Sequence, residues 1–199
     1  MSKLTTELVR DFADYMTAKY KAQIVDKGLA FEASLAATFL HAWGIVSHDD
    51  FLEHFATTIG HRMYLPFTPG VPKTGWSLWQ QIVVITHECQ HIVQYDKLGA
   101  ARFMWQYVRS TAERARLEAE AYRCQLELHY WRTGQIMPAK DLAASLKSYG
   151  VTETDLRVAE RMIAMAAQSV KQGAILNPTS RAAIDWLNAH APELRAPKS

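Results

Sequence analysis

Between Trp76 and Gly99 the sequence reads as one long, largely apolar helix, and the rest of the chain has to be arranged around it. Ser77, followed three residues later by Gln80, resembles a capping box that opens the helix, and Gly99 closes it after Leu98. Ile82, Val83, Val84 and Ile85 precede its middle turn, and Ile92 and Val93 follow it. A helix apolar over so much of its circumference belongs in the interior. Yet its centre is His87-Glu88-Cys89-Gln90-His91.

The spacing of four puts the two imidazoles one turn apart on one face, where both grip a single zinc ion. Glu88 lies one position round from His87 and three from His91. Its carboxylate therefore reaches a water on the ion without being a ligand, the place from which a base deprotonates an attacking water. With eight histidines in 199 residues, the pattern arises by chance in roughly 2% of such chains before any helical context is demanded. The metal reading is therefore set above the alternative of two histidines spaced by accident.

A catalytic zinc takes three protein ligands and a water, so one more group is needed. Thr111 to about Trp131 reads as a second long helix and offers Glu118 and Glu120. Glu120 aligns with Glu113, Arg116, Arg123 and Glu127, a charged stripe that faces solvent. Glu118 aligns with Ala115, Ala121, Tyr122, Gln125 and His129, a face small enough for another helix to approach closely. Glu118 is the preferred third ligand, Glu120 the alternative.

Over roughly Trp76 to Trp131 this pair of motifs resembles the gluzincin zinc metallopeptidases, the HExxH-plus-Glu group. The extended form His87-Glu88-x-x-His91-x-x-Gln94-Tyr95 is also similar to small peptidases of bacteria and phages. Other zincin classes fit less well. One places a third His six residues after the second with Gly between, and here those positions hold Lys97 and Gln94. Another uses an Asp in a Gly-Thr setting, whereas Asp96 sits too near on the same helix. Several families of the group follow their glutamate with a small residue three later and an Asp four later; Ala121 matches the first, and Tyr122 stands in place of the second.

The resemblance implies a zincin-like fold, Zn2+ as cofactor, ligands His87, His91 and Glu118, Glu88 as general base, and a peptide or protein substrate. It also implies a Tyr or His that donates to the oxyanion of the transition state. Tyr122, His129, Tyr130 and Tyr149 are available; Tyr122 and His129 share the face of Glu118 and are preferred, with simple packing the alternative for each. Zincins carry an edge strand before the metal helix, and His61 to Phe67 has extended character. This segment, His61 to Phe67, is expected to bind an extended peptide by strand addition, or else to be an ordinary strand covering the core.

Elsewhere the periodicity is helical. Leu8, Phe12, Tyr15 and Met16 mark one helix, Phe31, Leu35 and Phe39 a second, with Gly28 and Gly44 at their ends. Ser47 with Asp49 and Asp50 opens a third, carrying Phe51, Phe55 and Ile59 and stopping near Gly60. A Pro/Gly loop follows from Pro66 to Gly75. Ala100 to Arg109 fits helix or strand, and three more helices open at Pro138, at Thr152 with Asp155, and at Asn177 with Pro178. The expectation is one domain, 1–199, mainly α with a small sheet beside the His-Glu-x-x-His helix.

Lys and Arg number 22 against 20 Asp and Glu. The basic residues Arg114, Arg116 and Arg123 interleave with Glu113, Glu118 and Glu120 as on a solvated helix face, which argues against nucleic acid as a partner. No leader-like apolar core opens the chain, and no stretch reaches the ~18 apolar residues of a membrane span, so a cytoplasmic location with no membrane partner is expected. Cys89 and Cys124 are too few for a disulfide framework and read as buried small hydrophobes. His41, His48, His54, His61 and His190 read as surface or satisfied core residues, and Trp43, Trp76, Trp79, Trp105 and Trp131 as core, with Trp76 also placed to line a cleft. The function expected is a zinc metallopeptidase. The alternatives are a structural or binding protein that keeps zinc for stability, and a metal-free helical protein that binds a partner.

Overall fold

The computed structural model describes residues 4–26 and 56–197. Among them it has seven α-helices and a three-stranded sheet, the mainly helical architecture expected. The helix marked by Phe31, Leu35 and Phe39, the opening of a third helix at Ser47, and His41, Trp43, His48 and His54 lie outside the described residues.

Helix α1 (Thr6–Tyr20) starts where the Thr5 hydroxyl accepts the Leu8 N–H at 3.1 Å, and it buries Val9, Phe12, Ala13 and Met16 along one face. It ends well before Gly28. Lys21 takes a left-handed φ of 53° and returns its N–H to the last turn, after which Ile24 and Val25, both β-branched, run as strand β1 (Gln23–Asp26). Strands β2 (Thr57–Ile59) and β3 (Arg62–Leu65) form a hairpin around Gly60 and His61, with Gly60 at φ 62°. The expected helix through Ile59 is therefore a strand there; three consecutive β-branched residues suit a pleated backbone better.

The sheet order is β1-β3-β2, with Gln23 beside Arg62 in the parallel pair and Thr58 beside Met63 in the antiparallel pair. Strand β3 is thus central, and both its hydrogen-bonding edges are taken. That corrects the expectation of substrate pairing for the part of His61 to Phe67 that is β3. Among the described residues β2 is the outer strand next to the metal helix.

The Pro/Gly loop is held from inside by the fully buried Gln81. Its carboxamide oxygen accepts the Gly70 N–H at 2.8 Å, and its NH2 donates to Val71 and Trp76 carbonyls at 2.8 and 3.1 Å. Gly70 is required there, because a Cβ would lie 2.5 Å from the Thr6 carbonyl oxygen. Helix α2 (Leu78–Leu98) follows behind the expected Ser77–Gln80 capping box and stops at Gly99. Helix α3 (Ala100–Arg109) settles the ambiguous segment, and α4 (Thr111–Thr133) is capped by Ser110. Then come α5 (Ala139–Ser145), a 3-10 turn at Leu146–Tyr149, α6 (Glu153–Lys171) and α7 (Pro178–His190), each helix opening where expected.

Two apolar clusters result. One gathers α1, β3, α2 and α7, and the other lies between α4, α5 and α6. Helix α4 serves both, giving Leu128 and Trp131 to the first and Ala115, Ala119, Tyr122 and Leu126 to the second. Its solvated-face reading fails at Arg114 and Glu127, which are buried. The Glu127 carboxylate accepts the N–H groups of Leu176 and Asn177 where the chain crosses before α7. Trp105, read as core, is 64% exposed. Both cysteines are buried free thiols. Among the described residues no helix is long and apolar enough to cross a membrane.

Candidate metal centre

Where α2 crosses α4, three donor groups meet. His87 Nε2 and His91 Nε2 stand 3.2 Å apart, Glu118 Oε2 lies 3.5 Å from the first, and Glu118 Oε1 lies 3.4 Å from the second. A tetrahedral ion bound at about 2.0–2.1 Å separates neighbouring ligand atoms by about 3.3 Å. Each of these contacts has the spacing of neighbouring ligand atoms in such a shell, the two to Glu118 falling on different carboxylate oxygens. Glu118 is completely buried, and His87 and His91 nearly so. Its Oε2 has no hydrogen-bond donor, a costly state for a buried carboxylate oxygen that a cation would relieve. Together these residues form a group that could hold a metal ion. Glu120, the alternative ligand, is partly exposed and turned to Gln90 and Arg116 instead.

Neighbouring side chains fix the donors. Gln94 gives its NH2 to the Leu117 carbonyl at 2.9 Å, which sets its amide, and its oxygen lies 2.9 Å from His91 Nδ1. Nδ1 must then carry a proton, and Nε2 is the nitrogen turned to the triangle. The Tyr107 hydroxyl on α3 donates to Glu118 Oε1 at 2.6 Å. Arg114, one turn before Glu118 on α4, is buried beside Tyr107 and Glu118.

Charge in the site is strongly coupled. Burial alone would lower the His91 pKa, but the charge and hydrogen bond of Glu118 outweigh it, and the group is pushed up to about 9. Burial likewise works to raise Glu118, and the facing His91 and His87 overcome it, holding the carboxyl well below its ordinary range. The metal-free site thus keeps a proton where a cation fits. Burial, with the charge of Glu118 nearby, drives Tyr107 and Tyr122 upward, so both phenols stay protonated donors.

Glu88 stands apart from the triangle. It is 3% exposed, its Oε2 accepts the Thr58 hydroxyl of β2 at 2.8 Å, and it borders a cavity of about 520 Å³ together with His87, Tyr122 and His129. Trp76, Trp79, Val83, Val84 and Met137 supply apolar wall. The Tyr122 ring stands edge-on to His87 at 5.0 Å, with the hydroxyls of Tyr149 and Ser145 beside its own. His129 shares the cavity, yet eleven residues of α4 separate it from Glu118, about 16 Å of helix rise. It faces a more distant part of whatever occupies the space.

The structure brings together His87, His91 and Glu118, the group expected from the sequence, sets Glu88 and Tyr122 beside the cavity that His87 borders, and adds three partners that the sequence reading did not assign. Gln94 follows His91 at the i+3 spacing that brings side chains together on a helix, so that signal was present. Tyr107 and Thr58 reach their carboxylates only through tertiary packing, and no local pattern marks them. Compared with known protein families, curated proteins and solved structures, the chain matches none.

Proposed function

We propose that the chain is a zinc-dependent metallopeptidase in which His87, His91 and Glu118 hold the metal and Glu88 is the general base. The observation that carries this reading is that His87, His91 and Glu118 gather as one donor group, while Glu88, a further buried acid outside that group, borders with His87 a space of about 520 Å³. Structural zinc sites close with four protein ligands, and among the described residues only three groups converge. The donor set fits zinc, for which two imidazoles and one carboxylate are a recurrent catalytic set. A zinc ion bound there supplies Lewis acidity, polarising a substrate carbonyl and making water easier to deprotonate. Glu88 takes the proton as the water oxygen bonds to the carbonyl carbon, then returns it to the amide nitrogen as the C–N bond breaks. Tyr122, kept neutral by burial, offers its hydroxyl to the oxygen that gains charge. The cavity volume lies within the range of ordinary ligand sites, about 300–1,000 Å³, and its walls of Trp76, Trp79 and Val84 suit an apolar substrate portion.

A structural zinc protein is the second reading, favoured by the near-complete burial of His87, His91 and Glu118. Elemental mass spectrometry on wild type, Glu118→Ala and Glu120→Ala, purified without added metal, comes first. About one zinc per chain, lost only in Glu118→Ala, supports the ligand set; iron would point to oxygen chemistry at the same two-His, one-carboxylate set. A quenched-peptide library then separates the two readings. Glu88→Gln is expected to keep zinc and lose hydrolysis by at least about 100-fold. Zinc-loaded wild type no more active than Glu88→Gln would sink the peptidase reading.

A further inference from the structure

We propose that Thr58 is a positioning residue for Glu88, fixing the carboxylate so that one oxygen is reserved for proton transfer; this rests on the peptidase reading. The Thr58 hydroxyl donates to Glu88 Oε2 at 2.8 Å in a buried contact, where water competes little and the bond is correspondingly directional. Thr58 sits on β2, its backbone registered against Met63 of β3. Its β-branched side chain has few rotamers. The donor is therefore held by the sheet, independently of α2, and two separately anchored elements meet at one carboxylate.

Of the two oxygens, Oε2 is the one committed to Thr58. Among the described residues no hydrogen bond falls on Oε1, and Glu88 borders the large cavity. Thr58 does not border it. It faces a separate space of about 20 Å³ that His91 and Tyr107 also line. Thr58 thus reaches the base without lining the cavity a substrate would enter, and its hydroxyl acts on the reaction through Glu88. Without the hydroxyl, the carboxylate is free to rotate about its last torsion, and Oε2 loses the Thr58 donor. Misplacement of a reacting group by about 1 Å costs on the order of 100-fold in rate.

The test uses the zinc-loaded full chain and the isosteric variant Thr58→Val, with Thr58→Ser as rescue. Thr58→Val is expected to keep one zinc per chain, to lower kcat by about 10- to 100-fold, and to leave KM within about twofold, since no substrate contact is lost. Thr58→Ser restores most of kcat. In parallel, the infrared difference between wild type and Glu88→Gln isolates the Glu88 carboxylate stretch, which shifts in Thr58→Val if the bond exists in the loaded protein. An unmoved band, or an unchanged kcat despite a shifted band, overturns the proposal while leaving the peptidase reading intact. A loss confined to KM overturns it too. Wild type and Glu88→Gln equally inactive removes the peptidase reading itself, and the inference with it.

Discussion

At the scale of single residues, the three donors are held in place by groups outside their own set. Tyr107 holds Glu118 Oε1 at 2.6 Å and Gln94 holds His91 Nδ1 at 2.9 Å. Partners of this kind typically contribute about 10- to 100-fold in metal affinity. Tyr107→Phe, whose ring keeps its stacking on Phe103, is expected to weaken zinc binding by that order with the fold unchanged, and Gln94→Leu similarly. Competition against a chelator of known affinity measures both, and wild-type affinity in either would show that partner to be dispensable. Proton linkage follows from the same geometry. His91, pushed up to about 9 by Glu118 against the effect of burial, carries a proton at neutral pH that the metal displaces. Apparent zinc affinity should therefore rise about tenfold per pH unit up to about pH 9 and flatten above it. Calorimetry at pH 7 in buffers of different ionisation enthalpy should find about one proton released from the site. Release of none would mean that His91 is already neutral in the metal-free protein. The convergence of His87, His91 and Glu118 was legible in the sequence because two of them share a helix and helical phase separates Glu118 from Glu120. Thr58 and Tyr107 were not, since their roles exist only once a strand and a third helix have packed.

At the scale of elements, the helices were legible wherever a cap marked them. Ser77 with Gln80, Thr152 and Asn177 with Pro178 all stand at observed starts. The short strands were not: three or four residues cannot display a period, and β1 follows α1 with only two residues between them. One histidine read as ordinary joins these elements. His61, in the β2–β3 turn, places Nδ1 3.2 and 3.1 Å from the carbonyls of Tyr20 and Lys21 and Nε2 2.8 Å from Asp96 of α2. Both ring nitrogens face acceptors, so only the doubly protonated ring satisfies them. The Asp96 hydrogen bond is the main cause of a raised pKa, partly offset by burial. The sign is then fixed. The folded value is higher than the unfolded one, so the contribution is complete below about pH 6.5. It is lost as pH climbs through the higher folded value. Because both side chains are substantially exposed, the effect should not exceed about 1 kcal/mol, roughly 2–4 °C in Tm for a chain of this size. In metal-free protein, the wild-type Tm advantage over Asp96→Asn should shrink between pH 6 and 9. A constant difference across that range would mean that His61 does not hold the extra proton.

At the scale of the whole molecule, the metal site lies where the two apolar clusters meet. His87 and His91 come from α2 beside the first cluster, and Glu118 comes from α4, whose neighbours Ala115, Ala119 and Tyr122 belong to the second. A cation there joins the halves directly, while each half keeps an apolar interior of its own. Removing the metal should therefore leave the helices formed and lower the stability of their assembly. A ligand that binds only the folded state adds about 4 kcal/mol when its free concentration is about 1,000 times Kd. At about 2–4 °C per kcal/mol, zinc should raise Tm by roughly 8–16 °C over chelator-treated protein, with little change in far-ultraviolet circular dichroism at 25 °C. Glu118→Gln should lose most of that increment, because the ion forfeits its only negative ligand, whereas Glu120→Gln should keep it. Equal zinc-induced shifts in the two variants would place the stabilising ion elsewhere on the chain. Collapse of helicity on chelation would mean instead that the metal drives folding rather than joining two preformed cores.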